Sequence, residues 1–218
     1  MPIQVDHEAR REKIVATAIR VLGEGGFANF SLRAVSDRLG GSVTLITHYF
    51  PSREALLQKM LQQALDDARA TQEELAAIED PQDRLETVLR FFLPLDDDAM
   101  ATERARVALA SHRNNDPAIP RDLDLIDALM RDLVRTALQD FIGRHRLDIT
   151  VDLVRLWTSG VVLSTIEHPD LWTPARQIEA LHHFMNLVDL PAIRIQRAEE
   201  ATEFAKSPAR PGTLDAVS

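Results

Sequence analysis

Apolar positions in this chain recur mostly at intervals of three and four, the spacing of one helix face. Near the start, Ile14, Ala18, Val21 and Leu22 fall on one stripe, which predicts a helix over residues 9–22 with Arg10, Arg11, Lys13 and Arg20 mostly off it. Gly23-Glu24-Gly25-Gly26 predicts its end, because glycine adopts the left-handed geometry that closes helices. Phe27 and Phe30 are then free to dock on a core, and Ser31 reads as the N-cap of a short helix carrying Leu32, Val35 and Leu39. Gly40-Gly41 breaks that helix and Ser42 caps a third over 43–49. Phe50-Pro51 stops the third, since a proline disfavours helix at the residue before it, and Ser52 caps a long fourth helix reaching residue 74.

The rest of the pattern is helical as well. Asp80-Pro81 is an N-cap with proline at the first helical position, and Leu85, Val88, Leu89 and Phe92 follow on one face. An acidic turn over 95–98 leads into a helix over 100–113, and 114–120 reads as a break. Leu125, Leu129, Met130, Leu133, Val134, Ala137, Leu138 and Phe141 predict one long amphipathic helix over 122–145. Residues 151–167 are apolar around much of the circumference, which predicts burial on several sides. Thr173-Pro174 opens a last helix through Ile178, Leu181, Phe184, Met185 and Val188. Beyond 192 the chain turns polar and is expected to be a flexible tail. There is no sustained alternation of period two and no long repeat, so the expected class is all-α. The expected domains are 1–55, a three-helix unit; 56–191, a larger helical unit; and the tail, 192–218.

Composition narrows the chemistry. The 218 residues include no cysteine, which excludes a disulfide scaffold, a thiolate metal site and a cysteine nucleophile. No apolar run approaches the ~20 residues of a membrane span, and the first residues form no hydrophobic signal region, so a cytoplasmic protein with no membrane partner is expected. The net charge is −9, yet residues 1–55 hold seven basic and six acidic groups, leaving the excess acid downstream. An acidic protein binds DNA when positive charge is local. The second and third helices, joined by a glycine turn, have helix-turn-helix spacing, which fits a DNA-binding domain and fits an ordinary helical subdomain too.

Catalytic patterns are sparse. Glu179-x-x-His182 has the carboxylate–histidine spacing of di-iron bundles, but it occurs once where such a site needs two copies and further carboxylates. His182 and His183 are adjacent and point to different sides of a helix. There is no metalloprotease, nucleophile-elbow or phosphate-loop motif. We expect no catalytic residue, no metal and no cofactor; a helical metal-dependent enzyme is the lesser alternative.

Three fragments carry a more specific signal. They are Arg11-x-x-Ile14-x-x-x-Ala18 followed by Gly26-Phe27; Ser31-Leu32-Arg33-x-Val35-Ser36-x-x-Leu39-Gly40; and Ile46-Thr47-His48-Tyr49-Phe50-Pro51-Ser52-Arg53-Glu54-Ala55-Leu56. In this order and spacing the sequence resembles the tetracycline-repressor (TetR) family of transcriptional regulators. Leu93-Pro94-Leu95-Asp96, Gly160-Val161-Val162-Leu163 and His168-Pro169-Asp170 are similar to the betaine-repressor branch of that family. The pattern departs from the family at Gly41, Thr44, Leu45 and Thr47, the last standing where a DNA-touching tyrosine is common.

The resemblance implies a homodimer that binds a double-stranded DNA operator through the helix-turn-helix and a small-molecule effector through the larger domain. The DNA-facing candidates are then Ser31, Arg33, Ser42, Val43, Thr44, Thr47, His48, Tyr49 and Arg53, with Thr47 and His48 suited to base edges and Ser31, Tyr49 and Arg53 to phosphates. Leu45 reads as either a thymine-methyl contact or core, and Arg10 and Arg11 could reach the backbone. Effector candidates are Phe92, Met100, Arg104, His112, Met130 and Trp157, with Phe91 and Glu167 beside them; Trp157 leads because it lies in the helix that reads as buried. The aromatics suit a hydrophobic or cationic ligand. The helices over 151–167 and 174–188 resemble the family's dimer interface. A helical interaction module that has lost DNA reading is the alternative that the Thr47 departure keeps open.

Overall fold

A computed structural model of the chain describes residues 3–114 and 118–190. Among the described residues there are nine helices and no strand: α1 (Ile3–Asn29), α2 (Leu32–Arg38), α3 (Val43–Tyr49), α4 (Arg53–Ala76), α5 (Pro81–Phe91), α6 (Asp97–Ser111), α7 (Ala118–Leu138), α8 (Arg144–Glu167) and α9 (Pro174–Leu187). The all-α class expected from the pattern is the observed one. Helix starts fall where short polar side chains can take up orphan amides. Ser31, Ser42 and Ser52 accept from the amides of Ala34, Leu45 and Ala55, and Asp80, Asp96 and Thr173 do the same for α5, α6 and α9. The expected tail, 192–218, lies outside the described residues.

Two expected boundaries move. First, α1 begins earlier than residue 9 and runs through Gly23, breaking only at Gly26 with φ 67°. Gly23 serves close approach instead of termination: a Cβ there would lie 2.7 Å from the carbonyl oxygen of Ala101 in α6. Second, the single helix expected over 122–145 stops at Leu138. The amides of Phe141 and Ile142 both return to the Leu138 carbonyl, which closes a turn and buries Ile142 before α8 begins at Arg144. Phe141 keeps the helical period in sequence, so periodicity alone runs through this turn.

The expectation that 151–167 is buried on several sides is also corrected. Thr150, Val151, Val154, Thr158, Val161, Val162 and Thr165 are buried, while Ile149, Leu153, Leu156 and Leu163 are exposed, Leu156 by 70%. By length and composition alone, α8 is long and apolar enough to cross a membrane. Three of its charged residues, Asp148, Asp152 and Arg155, are ion-paired to Arg135, Arg131 and Asp127 of α7.

The described residues pack as two compact units, one of residues 3–67 with 101–114 and 118–126 and one of 68–100 with 127–190. The core of the first gathers Ile14, Val15, Ala18 and Leu22 of α1, Val35 of α2, Ile46 of α3, Leu56, Leu57, Met60 and Leu61 of α4, with Phe30, Phe50, Leu109 and Ile119. Each of these side chains other than that of Ala18 stabilises by about 1.5–3 kcal/mol when fully buried. Arg38 clasps Glu24 with two bonds of 2.7 Å and ties α2 to α1, and this hydrogen bonding holds the Glu24 carboxyl below the usual range.

In the second unit Leu85, Leu89, Leu133, Val134, Leu138, Val154, Leu181 and Met185 are buried. Burial opposes ionisation of Asp127, but hydrogen bonds from Arg131 and Arg155 outweigh it and keep its carboxyl below the usual range.

Asp67 on α4 behaves oppositely. Burial, reinforced by neighbouring Asp66 and opposed by Lys59, pushes its carboxyl up to about 6. The folded state therefore holds this proton more tightly than the unfolded chain, and its stability contribution falls as pH rises from 3.8 to about 6. Asp67→Asn is expected to stabilise the protein at neutral pH by about 1 kcal/mol, after discounting for the group's exposed half. Thermal melts across pH check this. The gain should vanish below about pH 4, and a gain that persists there would assign the effect to packing.

Candidate nucleic-acid interface

The helix-turn-helix is built from α2, α3 and the turn between them. Gly40 at φ +66° makes the turn, a conformation that side chains bearing a Cβ rarely adopt. The Gly41 amide donates to the Ser36 carbonyl at 3.0 Å and the Gly40 amide to Asp37, so the end of α2 is closed. Buried Ile46 pins α3 to the core, and buried Phe50 follows it. With that face fixed, Val43, Thr44, Thr47 and His48 are left exposed, as a reading surface requires. Leu45 is half-buried beside Gly41.

Local bonds refine what each side chain can do. The Thr47 hydroxyl donates to the Thr44 carbonyl at 3.1 Å, which leaves its oxygen as an acceptor. It is thus matched to an exocyclic amine, on adenine or cytosine, rather than to a carbonyl or ring acceptor. Ser31 and Ser42 are occupied as caps. Arg33 is highly exposed, with a loose 3.8 Å approach to Asp37, and remains available to a phosphate. Arg38, in contrast, is held by Glu24.

Arg53 is engaged within the protein. Its Nε donates to the Phe30 carbonyl at 2.8 Å and an Nη to the Phe27 carbonyl at 3.0 Å, and the guanidinium lies 4.3 Å from the centroid of the Phe27 ring. Phe27 and Phe30 follow the α1 break at Gly26, so Arg53 clamps the segment leading into α2.

Tyr49 is half-buried, and its hydroxyl lies 2.9 Å from Nδ1 of His7. Reading the sequence missed His7 because the first helix was expected to begin after it.

The effector candidates separate. Arg104 and His112 belong to the first unit. Arg104 lies against Gly23 of α1, and the His112 ring stacks on Phe27 at 4.2 Å and 14°. Phe92, Met100, Met130 and Trp157 belong to the second unit. Trp157 is half-buried and stacks on Phe184 at 4.5 Å and 9°. Phe91 meets Phe92 edge-on, and Phe92 and Met130 are buried, while Glu167 is exposed. The Arg155 guanidinium already sits 4.8 Å from the Phe92 centroid. Sequence reading also missed Gln177. This fully buried residue donates to the carbonyls of Pro94 and Trp172. Its Oε1, like Nε of Arg155, is buried with no hydrogen-bond partner among the described residues. No cluster able to hold a metal occurs among the described residues.

Comparison with known proteins agrees with this geometry. Residues 14–60 match the family model described as bacterial regulatory proteins, tetR family. The HTH-type transcriptional regulator BetI of Burkholderia ambifaria is 31% identical over 91 residues, 41% of this chain and 47% of BetI. The chain thus spans about half the length of that relative. The HTH-type transcriptional regulator PksA of Bacillus subtilis is 24% identical over 177 residues, 78% of this chain and 84% of PksA. A transcriptional regulator from Saccharomonospora viridis, solved in complex with choline, superposes with a TM-score of 0.68 at 21% identity, covering 82% of this chain and 96% of that one. At that identity the likeness is one of fold.

Proposed function

We propose that this chain, whose residues 14–60 match the tetR family of bacterial regulatory proteins, is a ligand-responsive transcriptional regulator of that family: a homodimer that represses by holding a palindromic operator and is released by a small molecule. The observation that carries the DNA reading is the exposed row of Thr44, Thr47 and His48 on α3, backed by buried Ile46 and by the Ser42 cap. Residues 1–55 supply the DNA-reading helices, and effector binding and dimerisation fall within 56–191.

The dimer reading rests on α8. Ile149, Leu153, Leu156 and Leu163 are exposed at spacings of four, three and seven, with exposed Gly160 completing one stripe. A Cβ on Gly160 would meet nothing within 4 Å, so this glycine leaves room for another helix to approach. On α9, Leu187 is 85% exposed. An apolar stripe of this kind marks an interaction surface, and an isologous two-fold pairing covers the same patch on both copies while matching a palindrome.

The effector reading rests on the segment from Phe92 to Pro94. Arg155 and Gln177 both adjoin it and both keep unused hydrogen-bonding capacity. Because Arg155 already covers Phe92, a ligand that brings an acceptor for the guanidinium suits this site better than one that brings a second cation. Choline is therefore left with the S. viridis protein.

The test is selection of bound fragments from a random duplex library at two salt concentrations. An enriched palindrome supports the proposal. Thr47→Ala should then change base preference at a position where the wild type selects adenine or cytosine on the contacted strand, at a cost of about 1–3 kcal/mol for the preferred base. Lack of any enrichment, with the candidate effectors absent and present, would move the protein toward an interaction module without DNA reading.

A further inference from the structure

The geometry points to His7 as a phosphate contact of the DNA-binding surface, held in position by Tyr49. The inference rests on the DNA-binding reading above and adds a residue from outside the helix-turn-helix. Because α1 begins at Ile3, its first turns continue past the expected start and meet the end of α3. There the His7 ring lies 5.8 Å from the Tyr49 ring and 6.4 Å from the His48 ring, and His48 meets Tyr49 edge-on at 5.1 Å. His7 and His48 are exposed, and Tyr49 packs against the core.

The hydrogen bond between His7 and Tyr49 joins residues 42 positions apart on the surface. Water competes for both partners there, so such a bond contributes little to folding. Its effect is to orient a ring. A phosphate offers acceptors alone, so a neutral imidazole facing it must carry its proton on the nitrogen turned outward. Nδ1 faces Tyr49, which leaves Nε2 as that donor. Nδ1 must then accept, and the Tyr49 hydroxyl is the group that donates to it at 2.9 Å. The hydroxyl proton that the sequence reading aimed at DNA is thereby spent within the protein, and the donor role passes to His7 Nε2. Arg10 and Arg11, three and four residues on and both exposed, lie on the same side of α1 and continue a donor track suited to a phosphate backbone.

The experiment uses the full chain and the duplex enriched by selection, at about pH 8, above the range in which imidazoles ordinarily titrate. If the wild type binds no duplex, the DNA-binding reading fails and this inference falls with it. Given wild-type binding, His7→Ala should weaken affinity by about tenfold, since its acceptor is charged. The salt slope should not change, because a neutral donor releases no counterion. His7→Gln, which restores an amide donor near the Nε2 position, should recover most of the loss. Tyr49→Phe should weaken binding by about threefold in the wild-type background and by nothing further in the His7→Ala background, the coupling expected of one unit. Unchanged melting temperatures for the His7 variants would separate the effect from folding. His7→Ala binding as tightly as wild type would overturn the inference. So would a Tyr49→Phe loss of equal size in both backgrounds, which would return the phosphate contact to Tyr49 itself.

Discussion

On the proposed two-fold pairing through α8, a chain carrying Leu156→Glu is expected to be a folded monomer whose affinity for the proposed palindromic duplex has fallen by about 100-fold or more, because the second half-site contact is no longer intramolecular. Leu156 is 70% exposed in the single chain, so the substitution removes no core contact and should leave the melting transition of the monomer intact. In a two-fold pairing it places a carboxylate from each copy in an apolar seam, where neither has a partner and both are desolvated. Leu125→Glu is the control: Leu125 is 42% exposed on α7 and belongs to the other compact unit, and that variant should remain dimeric. Sedimentation and a titration against single and paired half-sites read both outcomes. A Leu156→Glu chain that stays dimeric and binds as before would place the dimer seam elsewhere.

Arg53→Ala should act on stability first. The substitution removes two hydrogen bonds from a charged donor to the carbonyls of Phe27 and Phe30, together with the stacking on Phe27. Allowing for partial exposure, the loss is about 2–3 kcal/mol, or roughly 5–10 °C in melting temperature. Arg53→Lys should not restore it, since an ammonium cannot span two carbonyls and stack on a ring at once. Below the transition the salt slope of DNA binding should match the wild type. A slope lowered by about one, with stability unchanged, would instead make Arg53 a phosphate contact.

These two substitutions illustrate how much of the protein is written in its sequence. The helix-turn-helix was legible nearly to the residue, because its determinants are local. Ser31, Ser42 and Ser52 cap helices within three residues of themselves, Gly40 turns the chain, and Pro51 stops α3. The same holds for Asp80-Pro81 and Thr173-Pro174 at the starts of α5 and α9. Three-residue and four-residue spacing predicted Ile14, Ala18 and Leu22 as core, because one helix face has to be buried.

What the sequence left open depends on which element lies opposite. Gly23 looks like a stop until Ala101 is seen beside it. That Arg53 and His112 both lie against Phe27 is visible only in the folded chain. His7 carries no local signal at all and gains a role only where α1 meets Tyr49. The buried valines of α8 could be told from its exposed leucines only in the folded chain, since composition gives a helix its apolarity but not the direction from which it is covered. The sequence by itself determined the all-α class, the helix-turn-helix and most helix ends, because short-range hydrogen bonding and periodicity fix those. The tertiary structure decided which charged and aromatic side chains are spent within the protein and which remain for a partner, because that depends on contacts between residues far apart in the chain.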